Sequence, residues 1–213
     1  MKMLSKRLAS GLISLSAALV TILAMSSPAS ALTTYTPGGG PGINFVSSNA
    51  SFKVIQANQS ISCSQFDLAG NLVNSGTSRA VGANAANIGS LTSSGCTNPI
   101  MGLMTITPSG TWGLTVTGDP AATTWPVRMT NVSWTVVMVG CTFQASGVVN
   151  GNLNVATQTF SPTAGASGLK ISSTPAGFLC PILGWANGQD IAVSGTWTNT
   201  PPAGSGPLTL VAP

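Results

Sequence analysis

The side chains that could carry chemistry in this chain of 213 residues are few. The sequence has no histidine and no glutamate, which excludes Ser-His-Asp and Cys-His nucleophiles, HExxH zinc sites and glutamate acid–base catalysis. Three aspartates remain, Asp67, Asp119 and Asp190, each in a different segment. Asp119-Pro120 is typical of a turn, and Asp190 of a boundary between a loop and a strand. The sequence therefore predicts a protein that is not an enzyme and needs no cofactor.

The five tryptophans are the residues best suited to bind a ligand, because aromatic rows on a sheet bind sugar rings or apolar chains. Trp112, Trp134 and Trp197 lie within alternating strand patterns, which predicts that they belong to the core. Trp125 and Trp185 lie at loop edges. These two are the candidate residues for contact with a ligand or a partner.

The first residues resemble a secretory signal peptide. Three basic residues precede an apolar run from Leu8 to Met25, and Ala29-Ser30-Ala31 follows as a cleavage site. A membrane anchor is the alternative, but Pro28 and the small-residue site favour cleavage. We therefore expect residues 1–31 to be removed and the protein to be secreted, extracellular or associated with the cell envelope.

Removal of the signal peptide leaves a nearly neutral protein. The remaining basic residues are Lys53, Arg79, Arg128 and Lys170, and with three aspartates the net charge is +1. Nucleic-acid binding needs clustered positive charge, and these four residues are scattered, so that class is excluded. No later apolar run reaches the ~18 residues of a transmembrane helix.

Short runs rich in Val, Ile, Thr, Phe and Trp alternate with Gly, Asn, Pro and Ser clusters, a pattern typical of an all-β protein. In residues 190–197 the odd positions are Ile, Val, Gly and Trp and the even positions are Asp, Ala, Ser and Thr, as expected for a strand with one buried face. Asn150-Gly151 is the strongest hairpin signal. Residues 82–91 are alanine-rich, and a short helix is an alternative there. Residues 32–50 form a Gly/Pro-rich lead.

An ordered series of motifs suggests an internal duplication. The tetrapeptide Ser-Gly-Thr-Trp occurs at 109–112 and 194–197, after a cysteine in each case. Four cysteines in an exported protein allow three pairings, and equivalent pairing in both repeats selects Cys63–Cys96 and Cys141–Cys180. Metal binding is disfavoured because the chain has no CxxC motif and no histidine.

The second half also resembles a known family. Residues 141–160 (CTFQASGVVNGNLNVATQTF), 178–189 (FLCPILGWANGQ) and 193–197 (VSGTW), with Thr124-Trp125-Pro126 upstream, are similar to the PraB-type "protein activator of alkane oxidation" proteins and to other small secreted actinobacterial proteins. The resemblance covers about residues 52–200. It implies an exported β-rich protein associated with the cell surface, biofilm or use of hydrophobic substrates, with no catalytic residues to transfer.

Together these patterns predict an antiparallel β-sandwich of about ten strands in one domain, residues 51–213. Two interpretations stay open, one undivided sandwich or two Cys-bridged half-units at about 51–118 and 125–200. The expected function is a non-enzymatic surface protein that contacts apolar material, cell-envelope components or other copies of itself. The alternative is a module that binds carbohydrate or a cell surface through Trp125 and Trp185.

Overall fold

A computed structural model describes residues 31–213, which form fifteen strands and one short 3₁₀ helix, Cys180–Leu183. The predicted signal peptide lies outside the described residues apart from Ala31. The strands are β1 (Thr34–Gly40), β2 (Gly42–Val46), β3 (Ala50–Val54), β4 (Gln59–Leu72), β5 (Arg79–Ala80), β6 (Asn84–Asn98), β7 (Gly102–Pro108), β8 (Trp112–Val116), β9 (Thr124–Met138), β10 (Cys141–Asn154), β11 (Thr159–Pro162), β12 (Ala166–Ile171), β13 (Asp190–Ser194), β14 (Trp197–Asn199) and β15 (Gly206–Val211).

Twelve of these strands form one antiparallel sheet that closes on itself. Four long strands, β4, β6, β9 and β10, each fill one position of the sheet. Each of the other four positions of the eight-position sheet is filled by two shorter strands that lie end to end. These are β2 and β3, β7 and β8, β11 and β12, and β13 and β14. Each position pairs with the next along the chain, and β13 and β14 pair back onto β3 and β2. The predicted all-β, antiparallel class is confirmed.

The strand count exceeds ten because four positions of the sheet are broken in the middle. Two of the breaks are the Ser-Gly-Thr-Trp segments, between β7 and β8 and between β13 and β14. Gly110 and Gly195 have positive φ there, a backbone conformation that glycine adopts without strain, and so they interrupt the pairing. Trp112 and Trp197 then begin the next strand and face the core. The two copies lie four sheet positions apart, at equivalent places in the two halves of the chain.

The Gly/Pro-rich lead predicted over residues 32–50 is instead folded. It contains β1, β2 and the start of β3, and β2 pairs with both β4 and β14. The expectation was wrong because the polar, glycine-rich composition of this segment hides a strand whose inward residues are Ile43 and Phe45. The folded unit therefore spans residues 31–213, and residue 51 is not its boundary.

One local prediction, and one alternative left open by the sequence, also fail. Asn150-Gly151 is not a turn but lies inside β10, where Gly151 pairs with Val127 on one side and Pro162 on the other. A Cβ at Gly151 would lie 2.4 Å from the Phe160 ring, so this glycine serves close packing between strands. The alanine-rich stretch 82–91 is mostly strand β6, because Ala86 and Ile88 face the core and cross-strand pairing overrides their helical preference.

One end of the closed sheet, here named the base, is covered by the small sheet β15-β1-β5. Tyr35, Leu208 and Leu210 are buried there. The Tyr35 hydroxyl donates to the carbonyl of Ala83 at 2.5 Å, and burial raises the pKa of this phenol above its ordinary value, so it stays protonated as a donor. Gln158 bonds both the N–H and the C=O of Leu208, each at 2.8 Å, and so ties β15 to the sheet.

The core is a single cluster of inward-facing side chains from all eight positions of the sheet. Its centre is aromatic: the Phe52 ring lies 5.1 Å from Phe66 and 4.9 Å from Trp134. Trp112 and Trp197 surround the same centre, at 6.4 and 6.5 Å from Phe66. Polar Ser, Thr and Asn side chains alternate with these residues and cover the outer face. No helix within residues 31–213 has the length and apolarity needed to cross a membrane.

Candidate functional site: an apolar tip

The structure places both predicted contact tryptophans in the interior. Trp125 is 3% exposed in β9, and Trp185 is 5% exposed in the loop between β12 and β13. The Trp185 ring packs edge-on against Phe143, with ring centroids 4.8 Å apart. Its indole N–H has no acceptor among the described residues. The expectation of exposed rings was wrong, because Trp125 occupies an inward-facing position of β9 and the loop that carries Trp185 folds its ring back onto Phe143.

The three tryptophans predicted to be core are indeed buried, and two of them donate hydrogen bonds to backbone carbonyls. The Trp197 indole donates to the carbonyl of Phe66 at 2.8 Å, and the Trp112 indole donates to the carbonyl of Ser109 at 3.0 Å. Since Phe66 lies on β4, far from Trp197 in sequence, that bond joins the two halves of the chain. These rings are structural and are not accessible to a ligand.

The four cysteines form the two disulfides that the repeat predicts. Cys63 joins Cys96 directly across β4 and β6, within the sheet. Cys141, at the start of β10, joins Cys180 in the 3₁₀ helix. The second bridge therefore ties the longest loop, residues 172–189, to the end of the sheet opposite the base. Two disulfides fit a protein of an oxidising compartment.

The aspartates are occupied by separate partners. Asp67 accepts from the Gln65 side chain at 2.5 Å, and Asp119 accepts from the backbone N–H of Leu32. Asp190 forms an ion pair with Lys170 at 2.6 Å and accepts from Gln56 at 2.8 Å. These hydrogen bonds from Lys170 and Gln56 hold the pKa of the Asp190 carboxyl below its ordinary value. The described residues contain no group of three or more possible metal ligands.

The most distinctive surface lies at the end opposite the base, where β4 begins and β6 and β9 end. We call it the apolar tip. Its members are large hydrophobic side chains that are exposed: Ile100, Leu103, Val137, Val139, Phe178 and Ile182. Ile55 lies at the same end, and Val211, on β15 at the base, is the remaining exposed large hydrophobic residue in the part of the chain described. A concentration of such residues at one end is typical of an interaction surface.

Three segments bring the tip together. Met104 pairs with Met138, so Leu103 and Val139, one residue beyond on each strand, lie opposite each other. Residues 176–179 run alongside the start of β10, with Thr142 and Ala176 exchanging two backbone hydrogen bonds at 2.9 and 2.8 Å. A Cβ on Gly140 would lie 3.0 Å from the Phe178 ring, which places that ring beside Val139. Phe178, Val139 and Leu103 thus form one continuous apolar strip.

Runs of consecutive apolar residues in the sequence indicate the apolar tip, because a strand with one buried face should alternate apolar and polar residues. Val136, Val137 and Met138 at the end of β9 and Val139 in the following turn are four consecutive apolar residues, and alternation turns Val137 and Val139 outward. Phe178-Leu179 and Ile182-Leu183 repeat the pattern in the loop, where Leu183 is buried and Ile182 exposed. In this chain exposed apolar residues of the tip lie in these uninterrupted runs, whereas the tryptophans are buried.

No protein-family model, curated protein or solved structure matches this chain. The functional assignment therefore depends on the chemistry and geometry of the tip.

Proposed function

We propose that this chain is an exported, non-enzymatic protein of the cell surface or extracellular space, and that it contacts apolar material or further copies of itself through the apolar tip. The observation that carries the proposal is the segregation of exposed large apolar side chains. Six of them lie at one end of a sheet whose outer face is otherwise mostly Ser, Thr, Asn and Gly, with few charged side chains.

The energetic reason is the cost of leaving this surface in water. Full burial of one such side chain is worth about 1.5–3 kcal/mol. A folded protein gains nothing from exposing Leu103, Val139 and Phe178 on neighbouring segments unless something covers them. The predicted signal peptide and the two disulfides support a location outside the cytoplasm.

Strand edges are a poor route to self-association in this fold. Every strand of the closed sheet has a neighbour on each side, so the sheet presents no free edge to a second copy. On the small sheet, Gln158 occupies the backbone groups of Leu208 on β15. Contact between copies, if it forms, is expected at the tip.

Carbohydrate binding has less support. The two tryptophans expected to provide a platform are buried. An open depression on the outer face over β2, β4 and β6 is lined by glycine and asparagine residues, among them Asn44, Asn71 and Asn87, and no aromatic ring lines it. Since sugar rings stack on aromatic faces, this depression lacks the platform that such binding uses.

The test compares three conditions for the exported, disulfide-bonded protein: with hydrocarbon droplets, with insoluble polysaccharide, and alone over a range of concentrations. Partition is measured for the first two and light scattering for the third. We expect partition to the droplets or concentration-dependent scattering, and no retention on polysaccharide. A protein that stays monomeric and binds neither material would refute the proposal, and retention on polysaccharide alone would favour the alternative.

A further inference from the structure

The side chains of the apolar tip project into solvent. Leu103 and Phe178 are each 77% exposed and Val139 is 76% exposed. They come from three separate segments: the β6–β7 hairpin, the β9–β10 hairpin and the loop held by Cys180. A rigid protein partner requires a complementary surface, whereas a fluid layer adapts to projecting side chains.

Several backbone N–H groups of the tip are paired internally, which favours contact with a hydrocarbon phase. Asn98, 1% exposed, accepts from the N–H groups of Ile100 and Met101 at 2.9 and 3.0 Å. The N–H of Leu179 donates to the carbonyl of Gly140 at 3.0 Å, and that of Ile182 donates to Leu179 at 3.1 Å. These groups would therefore not lose hydrogen bonds to water on leaving it.

The tip carries no charged side chain. The nearest ionisable residues at this end of the sheet are Lys53, Lys170 and Asp190, on β3, β12 and β13, and the last two neutralise each other in an ion pair. Strands β6, β7 and β9 of the tip do not pair with these three, whereas the loop that carries Phe178 and Ile182 joins β12 to β13 and so begins and ends beside the Lys170–Asp190 pair. An attraction to acidic headgroups would need a basic cluster next to the tip, and none is present in the described chain.

We propose that the apolar tip inserts into the acyl region of a lipid layer with uncharged, zwitterionic headgroups, while the Ser/Thr-rich wall of the sheet stays in water. The inference rests on the proposed function and names its partner. Phe178 and Ile182 enter from the disulfide-anchored loop, and Leu103 and Val139 enter from the hairpins. Insertion depends on apolar contact, so it is insensitive to salt.

The test is co-flotation of the full exported protein with phosphatidylcholine vesicles. The tip variant carries Leu103→Ser and Phe178→Ser. The matched control is Val211→Ser, which removes an apolar side chain that is 57% exposed at the base. We expect the tip variant to lose at least about tenfold in vesicle affinity, equivalent to about 1.4 kcal/mol. The control and a change from about 0.05 to 0.5 M salt should each alter affinity by less than about twofold.

A second measurement does not depend on the tip variant folding. Trp185 lies in the loop that carries Phe178 and Ile182, so acyl chains brominated near the headgroup should quench its fluorescence in the wild-type protein. The quenching should be smaller in Trp185→Phe. No quenching and no flotation, in a protein that still partitions to hydrocarbon droplets, would overturn the lipid inference and leave the proposed function standing.

Other outcomes would assign the apolar tip to a different partner. A dimer in solution that the tip variant abolishes, without vesicle binding, would assign the tip to a second copy of the chain and overturn the lipid inference. Binding only to vesicles with anionic lipid, lost at high salt, would also overturn it. Failure with vesicles, droplets and self-association together would refute both the inference and the proposed function.

Discussion

At the scale of single residues, buried polar atoms with one specific partner determine how the two halves of the chain meet. The Trp197 indole reaches the carbonyl of Phe66 inside the core, whereas the Trp112 indole bonds Ser109 only three residues away, next to an exposed break in the strand. Both tryptophans belong to the Ser-Gly-Thr-Trp repeat. The two tryptophans occupy equivalent positions in the fold, but their hydrogen bonds are expected to contribute differently to the free energy of unfolding.

Replacement of Trp197 by Phe removes the donor and leaves the Phe66 carbonyl buried without it. We expect the free energy of unfolding to fall by about 1–3 kcal/mol. Trp112→Phe should cost less, because water reaches the Ser109 carbonyl at the break. Urea denaturation of both variants measures the difference. Equal losses of unfolding free energy in the two variants would show that the buried hydrogen bond to Phe66 contributes no more than the bond to Ser109.

Asp190 gives the protein a specific response to acid. Lys170 and Gln56 lower the pKa of its carboxyl in the folded protein. Its contribution to stability is therefore fully present above the unfolded-state pKa of about 3.9 and is lost as pH falls through the lower folded-state pKa. In Asp190→Asn that part of the acid sensitivity should disappear. Denaturation midpoints measured between about pH 5 and pH 2 test this. An unchanged pH profile in the variant would contradict it.

At the scale of strands and loops, close approach between neighbours sets which residues are allowed. Gly151 lies against the Phe160 ring and the carbonyl of Ser161, where a Cβ would come within 2.4 and 2.6 Å. A Cβ at Gly89, in the same closed sheet, would have no heavy atom within 4 Å. The two glycines look alike in sequence but differ in what a side chain would meet.

Gly151→Ala should therefore destabilise the fold by about 1–3 kcal/mol through overpacking. Gly89→Ala is the matched control, and we expect it to change stability by no more than about 0.5 kcal/mol. Thermal and urea unfolding measure both. If Gly151→Ala were as stable as Gly89→Ala, the strand packing described for β10 and β11 would be wrong.

The two disulfides should have separable effects. Removing either bridge, with both cysteines changed to Ala, is expected to lower stability by about 2–5 kcal/mol. Only loss of Cys141–Cys180 should also weaken binding to apolar material, because that bridge holds the loop carrying Phe178 and Ile182. Loss of Cys63–Cys96, inside the sheet, should leave binding intact in the folded fraction. Equal binding losses would contradict the role given to the loop.

Alternation and the repeated motif predicted much of this level of structure. Ile191, Val193 and Trp197 face inward as their spacing indicates, and the repeat selects both cysteine pairs. Other features were out of reach. β1 and β2 are stabilised by partners distant in sequence, and Asn150-Gly151 has turn chemistry although the neighbouring strand β11 leaves no room for a side chain at Gly151. Burial of Trp185 likewise depends on how its loop folds back onto the core.

At the scale of the whole molecule, the two ends of the closed sheet differ in chemistry. The base is covered by β1, β5 and β15, and Leu208 and Leu210 are buried there. The opposite end leaves the apolar tip uncovered. A polar wall joins the two ends, so the molecule is amphiphilic along the sheet and can be oriented by an apolar phase.

The most direct test of this account is partition to hydrocarbon droplets of the wild-type protein, the Leu103→Ser/Phe178→Ser tip variant and the Val211→Ser base variant, all checked for both disulfides. The account predicts that the wild-type and base variants partition alike, within about twofold, and that the tip variant partitions at least about tenfold less. Equal partition of all three proteins, or a larger loss from the change at Val211, would contradict it.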